Sequence, residues 1–558
     1  MNKDNNENII LEEYTGEFQY KKNKTNLKIE FNRVAFIFFI FFLISIIYSV
    51  QLLHLGSLQS NIKKIEPQID KKNHRADIVD RNGNYLVKTV SSINIGIKPK
   101  DVIDQKKPLI NFKLIFPDTN YFDIEKKLQK NKFFYLEKKI SSSNYEKIML
   151  LGDKSIKSEE KLKRIYPQKN LFSHIIGQID NDNNGISGIE KSFDEKLKTI
   201  KDPLKLTVDT EIQFLIREEL KKFIAIFESK GAAAILMNVN NGEIISMVSY
   251  PDFDLNKRAT IDDLNYINRA TKGIYELGSV FKTFTVAAGI EQGLIEPETE
   301  FLDLEKKLNC GKNTIAEYDD NISTNLTVEE ILIKSGNIGS VKIGQMLEIK
   351  GLKSFLKKIG ILDKINFDIE EVGEPYPFKW GKCKLATASF GHGITTTPLQ
   401  LTKGYAIISN GGFNVDPTLI KKDFKNIKKR IIKEDVSKKI NPILRKIVVK
   451  GTARLANVNG YEIGGKTGTA NKTVKGGYSR KKINTFASIF PMSDPKYALV
   501  VLMEETQINK DYIYEYRDGS GFKLKGSPRN TAGWTSVEVA GKIIDKIGPI
   551  LATKYIEN

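Results

Sequence analysis

The chain has 558 residues, more than the roughly 250 to 300 at which one hydrophobic core stops growing, so several folded units are expected and a lone small module is excluded. Hydrophobic residues at 40% against 28% charged exclude a wholly disordered chain. The net charge of +19 is not a nucleic-acid signature, because only 13 of the 87 basic residues are Arg, which reads bases bidentately, and the lysines are scattered.

Taken from the amino terminus, residues 1–33 form a short tail and residues 34–54 a transmembrane helix. Val34 to Leu53 carries no charge and is long enough, at 1.5 Å per residue, to cross a hydrocarbon layer of roughly 30 Å. A cleaved signal peptide has a shorter apolar region ending at small residues, which does not fit. Lys21, Lys22, Lys24, Lys28 and Arg33 crowd the first flank, whereas the next basic side chains are Lys63 and Lys64, so the tail is expected in the cytoplasm. The rest of the chain is then expected outside a bacterial inner membrane, where ATP is lacking.

Residues 55–203 alternate apolar runs (ADIVD, INIGI, NFKLIF) with Lys-rich helical stretches such as Tyr121 to Lys139, and turn signals fall at Asn82-Gly83 and Asn183-Asn184-Gly185. This reads as an elongated α+β pedestal without a catalytic cluster. Residues 204–558 read as a larger α+β domain: a helix from Asp209 to Phe227, a hairpin through Asn241-Gly242, two late strands (Ile483–Phe490 and Lys496–Met503) and a final amphipathic helix around Val537 to Leu551. Early and late strands with helices between them predict one antiparallel sheet flanked by helices.

Three short motifs fall in this last domain. Ser279-Val280-Phe281-Lys282 opens an apolar helical run and places an amine one turn from a hydroxyl, the arrangement of an activated nucleophile. Alone it is weak, since Ser60 to Lys63 and Ser158 to Lys161 repeat the spacing. Ser335-Gly336-Asn337 falls between two helical stretches. Lys466-Thr467-Gly468-Thr469 follows Gly464-Gly465, small residues that let a strand edge approach a carboxylate-bearing ligand. The same stretch satisfies a phosphate-loop pattern through Gly460, Gly465, Lys466 and Thr467, but it lacks the preceding hydrophobic strand and the following helix. A serine–histidine–acid triad is disfavoured, because His392 is the only histidine of the domain and stands apart from any acid motif. It reads as a structural or cleft-lining residue. Cys310 and Cys383 have no metal-site spacing and leave one bridge or two free thiols open.

The ordered triplet SxxK, SxN and KTG, with the anchor and pedestal, resembles the class B penicillin-binding proteins. RADIVDRNGNYL (75–86), RIYPQ (164–168), HIIGQIDNDNNGISGIE (174–190), SYPDFDLN (249–256) and SFGHGITTTPLQL (389–401) extend the match, and Ala76 departs from the Gly more usual there. The resemblance implies a serine β-lactamase-like transpeptidase domain that cross-links peptidoglycan stem peptides through a Ser279 acyl-enzyme and is acylated by β-lactams. Lys282 would be the general base, Ser335 the proton relay, Asn337 a ligand of the substrate amide, and Lys466 a source of positive potential. Thr467, Gly468 and Thr469 would bind substrate. The resemblance implies no cofactor and no metal. The lack of a large pedestal insertion and the late TAGWTSVEVAGKI (531–543) point to the division branch, the FtsI or penicillin-binding protein 3 type, at the septum with a lipid-linked glycosyltransferase of the FtsW type and other division proteins. An elongation-type enzyme, an anchored β-lactamase and a non-catalytic division scaffold are the alternatives.

Overall fold

The computed structural model describes residues 24–57, 75–102, 106–117, 119–257, 264–311, 313–422, 429–474 and 477–554. Lys21, Lys22, Lys63 and Lys64, on which the orientation of the anchor was read, lie outside them. The chain divides into two compact units, 1–71 and 72–558. The first unit is described by one helix, α1 (Lys24–Ser57), whose stretch Arg33–His54 has a mean hydropathy of 2.5 and exposes its apolar side chains. That helix is long and apolar enough to cross a membrane.

In the second unit, β1 (Ile78–Val79) and β2 (Tyr85–Ile97) are followed by α2 (Lys106–Ile115), α3 (Tyr121–Gln129), β3 (Phe134–Ile140), α4 (Ser142–Met149), β4 (Ile156–Ile165) and β5 (Leu204–Lys205). The long β2 pairs antiparallel with β1, β3 and β4, and β1 pairs parallel with β5. Two expectations are corrected here. NFKLIF is helical, within α2 and the residue after it, and the helical stretch begun at Tyr121 stops at Gln129 rather than Lys139. Tyr121, Ile124 and Leu128 bury one face of α3, then Asn131 takes a φ of 52°, and the chain returns as the strand β3.

The stretches quoted from the pedestal converge on one buried ionic cluster. Glu190 takes Arg75 Nε on one carboxylate oxygen and Arg164 Nε, at 2.8 Å, on the other, while Arg75 also reaches Asp194 at 2.6 Å. This base shares a continuous apolar core with the following domain, through Ile78, Leu86, Ile175 and Ile189. The Gly188 N–H donates to Glu371 Oε1 at 3.0 Å across that junction. The ends of β2–β4 and the helices α2–α4 close a second, smaller core around Ile95, Phe112, Ile124 and Ile148.

The larger domain begins with α5 (Thr210–Ile226), capped by the Asp209 carboxylate on the N–H groups of Glu211 and Ile212. The hairpin β6 (Gly231–Asn238) and β7 (Ile244–Tyr250) follows. Next come α6 (Phe281–Glu291), the small hairpin β8 (Lys307–Cys310) and β9 (Asn313–Ala316), α7 (Val328–Lys334), α8 (Asn337–Lys358), α9 (Lys382–Ala388), α10 (Pro398–Ser409) and α11 (Glu434–Lys450). The chain closes with β10 (Gly464–Val474), β11 (Gly477–Phe490), β12 (Tyr497–Glu504) and α12 (Ser536–Lys554). The sheet runs β10-β11-β12-β6-β7, antiparallel throughout, so the last strands insert beside the first hairpin. β12 is buried at every position, because α5, α12 and α10 cover the sheet. The final helix extends slightly beyond its expected bounds, and Cys310 and Cys383 are bridged, tying the β8–β9 hairpin to α9.

Candidate functional site

Lys466 and Thr467 lie in the edge strand β10, which pairs with β11 on one side and leaves its other edge to a cleft. The phosphate-loop alternative is thereby removed, since its lysine sits inside a strand rather than before a helix. Ser279 occupies a 3₁₀ turn, Gly278–Val280, leading into α6, one step ahead of the α-helical turn expected for it. Two glycines bring this turn onto the strand. At Gly278, with φ of +66°, a Cβ would stand 2.8 Å from Thr469 O, and at Gly468 it would collide with Leu277 O. The close approach puts the backbone of Ser279 beside that of Thr469. The Tyr405 hydroxyl fixes the turn from beneath, donating to Val280 O at 2.8 Å, and Thr285 Oγ1 ties α6 to Ser389 O at 2.8 Å.

Ser335 ends α7 in the left-handed region, φ 58° and ψ 41°, which costs a non-glycine residue about 1–2 kcal/mol. The strained turn sets its hydroxyl between two ammonium groups. Lys282 Nζ donates to Ser335 O, to Ser335 Oγ at 3.2 Å and to Asn337 Oδ1 at 2.7 Å. Lys466 Nζ donates to the same Ser335 Oγ at 2.9 Å and to Thr467 O at 3.3 Å. The structure therefore brings Lys282, Ser335, Asn337 and Lys466 into one hydrogen-bonded cluster, with Ser279 one turn from Lys282.

Both lysines are wholly buried, and among the described residues neither donates to a carboxylate. Burial consequently pushes Lys282 down to about 7, opposed by the charge of Glu317. Lys466 is pushed well below its ordinary range by burial and by the positive charge of Lys282. The cluster thus holds an amine able to accept a proton near neutrality.

The cleft has a volume of about 760 Å³ and is lined by Ser279, Ser335, Asn337, Thr467 and Thr469 together with residues that no motif announced. Thr452 Oγ1 lies 2.7 Å from Thr467 Oγ1. Thr469, expected to grip substrate with its hydroxyl, instead donates that proton to Asn484 at 3.0 Å and accepts from Ala532 N–H at 2.9 Å. Glu317, which follows β9, accepts from the N–H groups of Asn337 at 2.6 Å and Ile338 at 2.8 Å. It caps α8 from outside, since Gly336 has no side chain to do so. Arg454, Arg529, Tyr516 and Trp534 also line the cleft. His392 also lines it, one of the two places expected for it, but an acid does stand nearby, with Glu276 Oε2 3.6 Å from its Nδ1.

Comparison with known proteins agrees with this architecture. A family model described as the penicillin binding protein transpeptidase domain matches residues 232–520, and one described as the penicillin-binding protein dimerisation domain matches residues 70–222. A probable peptidoglycan D,D-transpeptidase FtsI from Caulobacter vibrioides is 28% identical over 86% of this chain and 82% of its own length. The peptidoglycan D,D-transpeptidase FtsI of Escherichia coli is 28% identical over 78% of this chain and 80% of its own, and the stage V sporulation protein D of Bacillus subtilis 29% over 77% and 74%. The crystal structure of penicillin binding protein 3 from Mycobacterium tuberculosis, complexed with ampicillin, superposes with a TM-score of 0.65 at 21% identity, covering 86% of this chain and 96% of that one.

Proposed function

The chain belongs to the penicillin-binding protein transpeptidase family, as a class B D,D-transpeptidase, and on that footing we propose that Ser279 is its nucleophile. The observation that carries the reading is the single hydroxyl of Ser335 accepting from both buried lysines, one of which lies a turn from Ser279. Lys282, neutral above about 7, takes the Ser279 proton as Oγ attacks the penultimate D-alanyl carbonyl of a stem peptide. Ser335 relays that proton to the departing D-alanine amine. The N–H groups of Ser279 and Thr469 hold the oxyanion, a contribution of about 3–4 kcal/mol for each such donor. Thr467, with Thr452 beside it, binds the terminal carboxylate, Gly468 keeps the strand close, Lys466 supplies positive potential in its protonated form, and Asn337 holds the substrate amide. An amine of a neighbouring stem then resolves the acyl-enzyme.

β-Lactams, which present a similar carbonyl, acylate the same serine. The apolar helix supports a membrane anchor and the relatives that bear the FtsI name support the division role at the septum, while the cytoplasmic amino terminus rests on the basic flank of the sequence and the glycosyltransferase of the FtsW type on the family resemblance. Full-length protein labelled with fluorescent penicillin and digested for mass spectrometry tests the site. The expected adduct is on the peptide containing Ser279 and vanishes in Ser279→Ala; an adduct that survives this substitution overturns the assignment.

A further inference from the structure

The second half of such a reaction contains a proton that the lysine–serine cluster does not remove. An alkyl amine has an ordinary pKa of about 10.4, so an acceptor arrives as an ammonium ion without a lone pair. It must lose one proton before attack and a second during it. The second travels through Lys282 to Ser279 Oγ as the ester breaks, leaving the first without a destination.

His392 stands where that proton has to go. Its side chain is 46% exposed in a cleft that also exposes Ser279, and its ring is stacked between Tyr478 at 4.8 Å and Phe390 at 6.1 Å. Its Nδ1 lies 3.6 Å from Glu276 Oε2, a carboxylate only 6% exposed and three residues before Ser279 in the chain. The hydrogen bonds to Glu276 come from neutral donors: the Tyr478 hydroxyl at 2.9 Å on Oε1 and the Gly393 N–H at 2.9 Å on Oε2. Lys384, on α9, faces the same carboxylate, but its ammonium is bonded to Gly393 O. Burial raises Tyr478 and keeps its phenol protonated, while Lys384, although burial lowers it against the pull of Glu276, is committed to Gly393 O. A carboxylate facing Nδ1 at 3.6 Å, although beyond hydrogen-bond distance, favours by its charge the tautomer with the proton on Nδ1, which leaves the Nε2 lone pair for a proton.

We propose that His392, oriented by Glu276, is the base that takes the first proton from the acceptor ammonium. The neutral amine then attacks the Ser279 ester carbonyl: a C–N bond forms, the C–Oγ bond breaks, the second amine proton passes through Lys282 to Oγ, and the imidazolium releases its proton to solvent. The proposal rests on the acyl-transfer reading above.

The test uses full-length protein in detergent with an acyl-D-alanyl thioester donor and two acceptors, an alkyl amine and hydroxylamine, which is neutral at pH 7. In His392→Gln, transfer to the alkyl amine, taken relative to acylation, falls on the order of 100-fold. Transfer to hydroxylamine falls at most about twofold, since that acceptor brings its lone pair with it, and the alkyl-amine defect narrows as pH rises toward the amine's own pKa of about 10.4. Glu276→Gln, which keeps one acceptor oxygen for its neighbours, shows the same selectivity with a smaller loss. Equal losses with both acceptors, or no loss with either, overturn the role of His392 while leaving Ser279 acylation intact. Failure of the unsubstituted protein to form the Ser279 adduct overturns the underlying reading instead.

Discussion

Two regions of this molecule bury a pair of basic side chains, and they do so to opposite ends. At the base of the pedestal, Arg75 and Arg164 grip the two oxygens of Glu190, with Asp194 completing the cluster; the side chains of all but Asp194 are at most 2% exposed. Burial works against the charge of Arg75, but Glu190 and Asp194 outweigh it and hold its pKa above the ordinary value. In the cleft, Lys282 and Lys466 share a serine hydroxyl and bond otherwise to carbonyl and amide oxygens. Neutral oxygens satisfy the donors without repaying the desolvation of the charge, so both amines hold their protons less firmly than an ordinary lysine. Counter-charge makes a buried cation a fixed structural pin, and its absence makes a base.

The comparison breaks most visibly at Lys282. Lys282→Ala is expected to slow penicillin acylation by about 10³-fold, followed as the rate of adduct formation, while the thermal transition persists. In the unsubstituted protein the acylation rate should fall as pH drops through about 7, because protonation of Lys282 removes the acceptor for the Ser279 proton. A rate that stays flat from pH 8 to about 5 refutes the neutral-amine half of the contrast.

At Glu190 the other half is exposed. Glu190→Gln leaves Arg164 facing a neutral amide and Arg75 with Asp194 as its remaining counter-charge, and removing one partner of such a cluster costs about 3–5 kcal/mol. Denaturant unfolding followed by circular dichroism should register that loss, and the folded fraction should still be labelled by penicillin. A change below about 1 kcal/mol means that the cluster is dispensable for stability.

How far these regions were legible depended on whether the signal was local. Asn241-Gly242 announced its hairpin, the uncharged run from Val34 announced α1, and SxxK, SxN and KTG announced four side chains that do meet. The break between α3 and β3 was hidden because FYLEKKI has nearly the composition of the preceding helix, and only the turn at Asn131 separates them. Glu317, Thr452 and Glu276 carried no motif, since Glu317 meets Asn337, Thr452 meets Thr467 and Glu276 faces His392 only once separate segments pack together. The bridge between Cys310 and Cys383 was undecidable for the same reason: their separation of 73 residues is closed by α9 docking on the β8–β9 hairpin.

Glu317 is where the contrast can be sharpened, since among the described residues it is the anion that opposes the burial of Lys282, without bonding to it. Its carboxylate is engaged by the N–H groups of Asn337 and Ile338, and Asn337 in turn accepts from Lys282. Glu317→Gln removes the charge and keeps an oxygen for the helix end. Without that opposing charge, Lys282 loses its proton more readily, so the acid limb of the acylation profile should move to lower pH. The plateau should drop less than about tenfold, the effect of a loosened Asn337 rather than a missing base. A limb that stays in place, or moves upward, would mean that Glu317 serves only as a prop for α8 and that the lysine pair is tuned by burial alone.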